Sequence, residues 1–323
     1  MIVVTGGAGF IGSNLVASLN EKGIDEIIIV DRLGKGEKWK NLNGLNFIDF
    51  IHKDDFYEMI VDETFPFELE AIFHLGACSS TTEKDADYLI QNNFTYSVEL
   101  AKYAAWRDIR FIYASSAATY GDGSNGYNDL DEIYSLRPLN MYGYSKQLFD
   151  SWIIKNGYDK KTAGLKYFNV YGPNEYHKDD MRSVVHKAFG QIKSTGYVNL
   201  FKSYHKDYKD GEQMRDFIYI KDAVDMTLFF FENKDVSGLF NIGTGKARTW
   251  NDLVTAVFNA MEIPVKIKYI EMPEDIRDKY QYFTQADLNK IKEAGYEKKI
   301  TSLEDGIKDY IQNYLMKNVY LKW

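Results

Sequence analysis

Apolar residues fall along this chain in short blocks that alternate with stretches of helical spacing. Ile2-Val3-Val4-Thr5 is β-branched throughout and reads as a short buried strand. Gly6, Gly7, Gly9 and Gly12 follow, and Leu15, Val16 and Leu19 then recur on one helix face until Gly23. A second apolar block, Ile27-Ile28-Ile29-Val30, stops at Asp31. Further blocks run from Ala71 to His74, from Arg110 to Ala114 and from Gly164 to Phe168. Helical periodicity separates them between Tyr88 and Trp106 and again from Ser145 to Ile154. Such alternation predicts a parallel sheet covered by helices on both faces. Ligands of such sheets lie beyond the carboxyl ends of the strands. Those ends carry Gly6 to Gly9, Asp31, Gly76-Ala77-Cys78-Ser79, Ser115-Ser116 and Asn169, all small or polar.

Strand, glycine turn, helix, strand and acid form the dinucleotide-binding βαβ unit. Gly7 is expected to permit the tight turn, Gly9 to let backbone approach a pyrophosphate, and Gly12 to let helix pack on strand. The helix N-terminus then offers free N–H groups and a positive dipole end to the phosphates. Asp31 at the end of the second strand favours the ribose hydroxyls of NAD. Arg32 beside it can pair with the 2′-phosphate of NADP. Lys35, Lys38 and Lys40 add positive charge nearby, and the balance leans to NADP.

After Pro173 the pattern loosens. Residues 174–213 are polar, with charged loops from Tyr204 to Gln213. Beyond them the spacing predicts a strand over Asp216 to Ile220 and a helix over Ala223 to Phe231. A strand and turn follow over Phe240 to Gly245, then a helix from Thr249 to Met261, capped by Thr249 or Asn251. A strand from Val265 to Ile270 and a helix from Ser302 to Leu315 complete the chain. The expected class is α/β, a Rossmann-type doubly wound parallel sheet with a smaller, interleaved C-terminal substrate domain. Residues 1–172 form the dinucleotide-binding domain, 216–245 return to it, and 173–323 mainly bind substrate.

A net charge of −8 argues against nucleic acid or an anionic membrane as partner. No apolar run approaches the ~18 residues of a bilayer span. One cysteine, Cys78, precludes an internal disulfide and fits a cytoplasmic protein. No residue cluster calls for a metal.

Tyr142-Gly-Tyr-Ser-Lys146 carries the candidate chemistry. Asn140 is placed to cap a helix that begins there, so Tyr142 and Lys146 share a face. An ammonium beside a phenol lowers the phenol pKa and makes tyrosine a usable acid and base. Ser116 can hydrogen-bond the same substrate oxygen.

TGGAGFIG, YASSAATYG, YGYSK, KYFNVYGP, RDFIYIKDA and FNIGTG together resemble the extended short-chain dehydrogenase/reductase family of nucleotide-sugar enzymes. FHLGACSSTTEKD, HKDDM and KYQYFTQADL narrow the resemblance to the branch that epimerises ADP-linked heptoses for lipopolysaccharide core synthesis. That resemblance implies oxidation at C6 of the heptose to a ketone, followed by return of hydride to the other face. Tyr142 would serve one epimer and Lys178 the other, with Lys146 orienting the nicotinamide ribose. The implied cofactor site comprises Gly6, Gly7, Gly9, Phe10, Ile11, Gly12, Asp31, Arg32, Lys38, Lys53, Leu75, Gly76, Ala77, Cys78, Ser79, Asn92, Lys146, Val170 and Lys178. The implied substrate site comprises Ser116, Asn169, Asp180, Lys187, Phe201, Lys202, Ser203, Tyr204, Arg215 and Tyr280. Arg215 suits the ADP diphosphate as a bidentate fork, against the plainer role of an ion pair with Asp216. NADP, an ADP-heptose substrate and a homopentamer are the cofactor and partners that the resemblance implies.

Some positions depart from the family pattern. Lys178-Asp179-Asp180 replaces the usual Lys-Gly-Ser, Lys187 replaces a histidine, Leu75 replaces an acid, and the loop from Phe201 to Arg215 is long and charged. Three other readings compete. A UDP- or dTDP-sugar 4-epimerase would need no second base like Lys178. A 4,6-dehydratase would show an acidic pair where Ala117-Ala118 stand. A non-catalytic NAD(P)-sensing module would not need Tyr142, Lys146 and Ser116 together.

Overall fold

The computed structural model describes residues 1–277 and 280–321; Lys279, which opens the KYQYFTQADL stretch, lies outside them. In chain order its strands are β1 (Ile2–Thr5), β2 (Ile27–Asp31), β3 (Asp49–His52), β4 (Ala71–His74), β5 (Arg110–Ser116), β6 (Thr162–Tyr167), β7 (Asn169–Tyr171), β8 (Val198–Phe201), β9 (Met214–Tyr219), β10 (Gly238–Ile242), β11 (Ala247–Thr249) and β12 (Ile267–Ile270). Seven of these form one parallel sheet in the order β10-β6-β5-β4-β1-β2-β3. This is the Rossmann-type doubly wound sheet expected from the alternation of apolar blocks. The central strands read as unbroken apolar runs because helices cover both faces. Val3, Val4, Ile28, Ile29, Ile72, Phe73 and Ile112 have no exposed surface.

From β1 the chain winds outward through β2 and β3, then returns to place β4 on the other side of β1. The reversal opens a crevice at the carboxyl ends of β1 and β4, where such sheets bind ligands. The strand β10, late in the chain, joins the main sheet beside β6. Two small sheets stand apart: β11-β9-β7, and the pair β12-β8.

Several boundaries differ from the sequence reading for identifiable reasons. The stretch from Asn174 to Gln213, read as polar with no element assigned to it, contains a helix, Val184–Thr195, and the strand β8. The helix buries only a narrow stripe of Val185, Ala188, Phe189 and Ile192, so polar residues dominate its sequence. The helix expected from Tyr88 to Trp106 widens into a π turn over Ile90–Thr95, which places Asn93 in the interior. Thr249 rather than Asn251 caps its helix, in a reciprocal capping box with Asp252.

Candidate functional site

The first turn after β1 shapes the floor of the crevice. Gly6, not Gly7, takes the left-handed conformation, with φ +69°. A side chain on Gly6 would also strike backbone of Leu75 and Gly76. Gly7 makes room for Ile29 and the Val4 carbonyl, so it serves packing and does not line the crevice. Helix Phe10–Glu21 starts at Gly9 without a side-chain cap, leaving first-turn N–H groups for an anion. These features fit a dinucleotide pyrophosphate.

The crevice has a volume of about 660 Å³. Its walls include Gly6, Gly9, Phe10, Ile11, Gly12, Asp31, Lys38, Leu75, Gly76, Ala77, Cys78, Ser79, Lys146, Val170 and Lys178, as the resemblance implies for the cofactor. A smaller annex holds Arg32, Lys53 and Asn92, together with Tyr88 and Tyr96. The Asn92 amide donates to Asn93 Oδ1 at 3.0 Å. Asp31 is buried, and its Oδ2 accepts the Ala8 N–H at 3.0 Å. Its Oδ1 receives Lys38 Nζ and the Arg32 N–H. The carboxylate therefore braces the glycine turn and has its charge balanced by Lys38.

At the opposite wall, Asn140 caps helix Met141–Lys155 through a 2.8 Å bond from the Gly143 N–H. Tyr142, Lys146 and Ser116 line the crevice together. Contrary to the lowering expected from Lys146, enclosure raises the Tyr142 pKa, and the Ser116 hydroxyl partly offsets this. Burial lowers the Lys146 pKa to about 8, against the pull of the Asp150 carboxylate. Its ammonium donates to the Ala114 carbonyl at 2.7 Å. Asn93, which no periodicity singled out, ties this helix to the loop after β4. Its amide donates to the Cys78 carbonyl and Ser145 Oγ, and its Oδ1 accepts the Cys78 N–H.

Lys178 enters the crevice from the turn Tyr176–Met181. Burial lowers its pKa, while Glu175 opposes the shift. Its ammonium lies 5.4 Å from the Phe10 ring centre, at the glycine-turn end. Glu175, also missed by the sequence reading, is buried and accepts the Ser183 hydroxyl at 2.7 Å. It anchors the turn that presents Lys178. Asp179 sits at φ 45°, ψ −120°. That backbone region strongly favours glycine.

The remaining substrate candidates divide. Asn169 lines the crevice. Arg215 is buried beside it, its guanidinium 5.7 Å from the Trp250 ring and 5.3 Å from the Tyr280 ring. Trp250, itself a crevice residue, donates to Tyr280 Oη at 2.9 Å. The expected alternative of an Arg215–Asp216 ion pair is absent among the described residues. Asp216 instead accepts N–H groups of Thr244, Gly245 and Ala286. Arg215 donates to the carbonyls of Met214 and Gln281. A buried guanidinium with only carbonyl partners suits an incoming diphosphate. Asp180 and Lys187 are exposed and joined by a 2.6 Å bond from Lys187 Nζ to the Asp180 carbonyl. Lys202 and Tyr204 turn to Glu271 instead of the crevice. Their long polar side chains find that carboxylate across the β12-β8 pair. Ser203 bonds within its own loop, and Phe201 is half-buried in β8.

Comparison with known proteins places these features in context. The profile of the NAD dependent epimerase/dehydratase family matches residues 2–243. An ADP-L-glycero-D-manno-heptose-6-epimerase of Nitratidesulfovibrio vulgaris is 55% identical, covering 98% of each chain. One of Fusobacterium nucleatum is 52% identical, again over 98% of each. Among solved structures, Helicobacter pylori ADP-L-glycero-D-manno-heptose-6-epimerase is 30% identical with a TM-score of 0.83, covering 97% of this chain and 95% of that one. Thermotoga maritima UDP-glucose 4-epimerase is 28% identical with a TM-score of 0.80, over 98% and 99%.

Proposed function

The chain belongs to the NAD dependent epimerase/dehydratase family, and we propose that it interconverts ADP-D-glycero-D-manno-heptose and ADP-L-glycero-D-manno-heptose by transient oxidation at C6. The observation that carries this is the presence of Tyr142 and Lys178 in one crevice, in a chain so similar to heptose epimerases. A bound nicotinamide supplies hydride acceptance from C6 and its return to the opposite face. The residues of the chain handle the protons. Tyr142 takes the C6 hydroxyl proton of one epimer while Ser116 hydrogen-bonds that oxygen. Lys178, its pKa lowered by burial, takes the corresponding proton of the other epimer. Lys146, set by its bond to the Ala114 carbonyl, would hold the nicotinamide ribose. Arg215, close to the rings of Trp250 and Tyr280, grips the diphosphate, so that the heptose can turn while the nucleotide stays fixed.

NADP is the cofactor within this reading. With Lys38 on Asp31, the annex is no longer a site of net negative charge, and Arg32 and Lys53 line it. A homo-oligomeric, cytoplasmic enzyme and a substrate domain built mainly from residues 173–323 belong to the same proposal. No described helix is long and apolar enough to cross a membrane.

The deciding experiment gives purified protein each ADP-heptose epimer and follows C6 configuration by NMR. Conversion in both directions supports the reading. Conversion of UDP-glucose or UDP-galactose instead would make it a 4-epimerase, and no turnover of any nucleotide sugar would favour a sensor.

A further inference from the structure

A fully buried ion pair lies behind the catalytic wall and takes no part in the chemistry described above. Lys166 on β6 and Asp150 on helix Met141–Lys155 meet at 2.9 Å, with side chains 2% and 0% exposed. Burying two charges is costly unless every donor and acceptor is matched. Here they are matched. Asp150 accepts from Ser115 Oγ at 2.6 Å, from Tyr113 Oη at 3.0 Å and from Lys166. Lys166 also donates to Thr119 Oγ1 at 2.7 Å and lies 5.1 Å from the Tyr120 ring centre. Thr119 Oγ1 in turn donates to the Ser116 carbonyl at 2.8 Å.

These partners are not scattered. Ser115 precedes Ser116, and Thr119 closes the turn that follows it. Tyr142, Lys146 and Asp150 are spaced four residues apart on one helix face, so the pair joins the Tyr142 helix to both sides of Ser116. We propose that Asp150 and Lys166 are positioning residues, a buried clamp that sets the Ser116 hydroxyl against Tyr142. This rests on the reading of Tyr142 and Ser116 as the proton-handling pair.

The clamp also has an electrostatic arm. The charged and titratable groups facing Tyr142 and Lys146 are Asp150 from their own helix, itself paired with Lys166 from β6, and Cys78 from the loop after β4, with His74 at the end of β4 beside Lys146. Asp150 raises the pKa of both Tyr142 and Lys146. Removing its charge therefore moves both titrations to lower pH.

The test uses the holoenzyme with Asp150→Asn, Thr119→Val and Thr119→Ser. Asp150→Asn is expected to lower kcat roughly tenfold to a hundredfold, the scale of a small misplacement. KM for ADP-heptose and cofactor content stay near wild type, and the kcat–pH profile shifts to lower pH. Thr119→Val breaks the link to Ser116 without changing charge. It should lower kcat with the pH profile in place, and Thr119→Ser should restore it. A crystal structure of either impaired variant should show the Ser116–Thr119 turn displaced from Tyr142. Unchanged kcat and pH profile in folded variants would overturn the proposal, as would an undisplaced turn. If Asp150→Asn does not fold, the Thr119 pair decides. If the wild-type enzyme itself leaves ADP-heptose unchanged, the functional reading has failed, and the position of the turn still tests the clamp.

Discussion

Lys38 rests its ammonium on the Asp31 carboxylate, while the other oxygen of that carboxylate caps the Ala8 N–H in the glycine turn. The acid that ordinarily turns a dinucleotide site towards NAD is thus engaged within the protein. A 2′-phosphate in the annex would meet Arg32, and Lys53 on exchange of its 2.7 Å pairing with the exposed Asp54. Arg32→Ala should weaken NADP binding by about 1.5–3 kcal/mol, the worth of a charge-assisted bond, and leave NAD little changed. Calorimetric titration with both nucleotides checks this; equal losses for both would remove the preference argued for NADP.

Tyr142→Phe and Lys178→Met should each cost at least about a hundredfold in kcat/KM. The equilibrium constant is fixed, so each variant slows both directions alike in steady state. Single-turnover oxidation separates them. Nicotinamide absorbance should rise normally with one epimer in Tyr142→Phe and with the other epimer in Lys178→Met. Normal oxidation of both epimers by Lys178→Met would show that this lysine serves only the cofactor.

Arg215→Lys keeps the charge but loses the planar fork between Trp250 and Tyr280. KM for ADP-heptose should rise about tenfold, with a smaller change in kcat. An unchanged KM would place the diphosphate elsewhere.

Asp179 is held at a positive φ, a backbone region that favours glycine. Relief of strain on the order of 1–3 kcal/mol, less the entropy of an added glycine, leaves a net gain of about 1 kcal/mol for Asp179→Gly. Urea denaturation measures it. A loss of stability would mean that the aspartate side chain, not the backbone, matters at this turn.

His74 is buried between Thr5 Oγ1 at 2.7 Å and Ser97 Oγ at 2.8 Å, and burial lowers its pKa to about 3. The unfolded chain takes up a proton near pH 6.5 that the folded chain refuses until about pH 3. The His74 contribution to stability is therefore complete above pH 6.5 and is lost as pH falls towards 3, at up to about 1.4 kcal/mol per unit. Melting curves of wild type and His74→Asn from pH 7 to 4 should converge on acidification. Parallel curves would show that this histidine does not govern acid sensitivity.

Much of this was legible in one dimension. The βαβ unit, the Asn140 cap and the Tyr142–Lys146 spacing depend on residues close in sequence, where periodicity and capping act directly. Other features were not legible. Asn93 looked no different from Asn92 until a π turn directed it inward to Cys78 and Ser145. Trp250 acquires its place only from partners far along the chain, Arg215 and Tyr280, and Glu175 from a turn that brings Ser183 back onto its carboxylate. The loop residues Lys202 and Tyr204 were expected at the substrate, yet Glu271 is the carboxylate within their reach.

The order of apolar blocks and glycines by itself determined a parallel sheet with a dinucleotide turn at its centre, because strand burial and backbone freedom are local properties of residue type. Only the tertiary structure decided which charges meet. It set Lys38 on Asp31, left Arg215 among aromatic rings and carbonyls, and locked Asp150 to Lys166. Electrostatic energy depends on distance and burial, and neither is written in the spacing of residues along a chain.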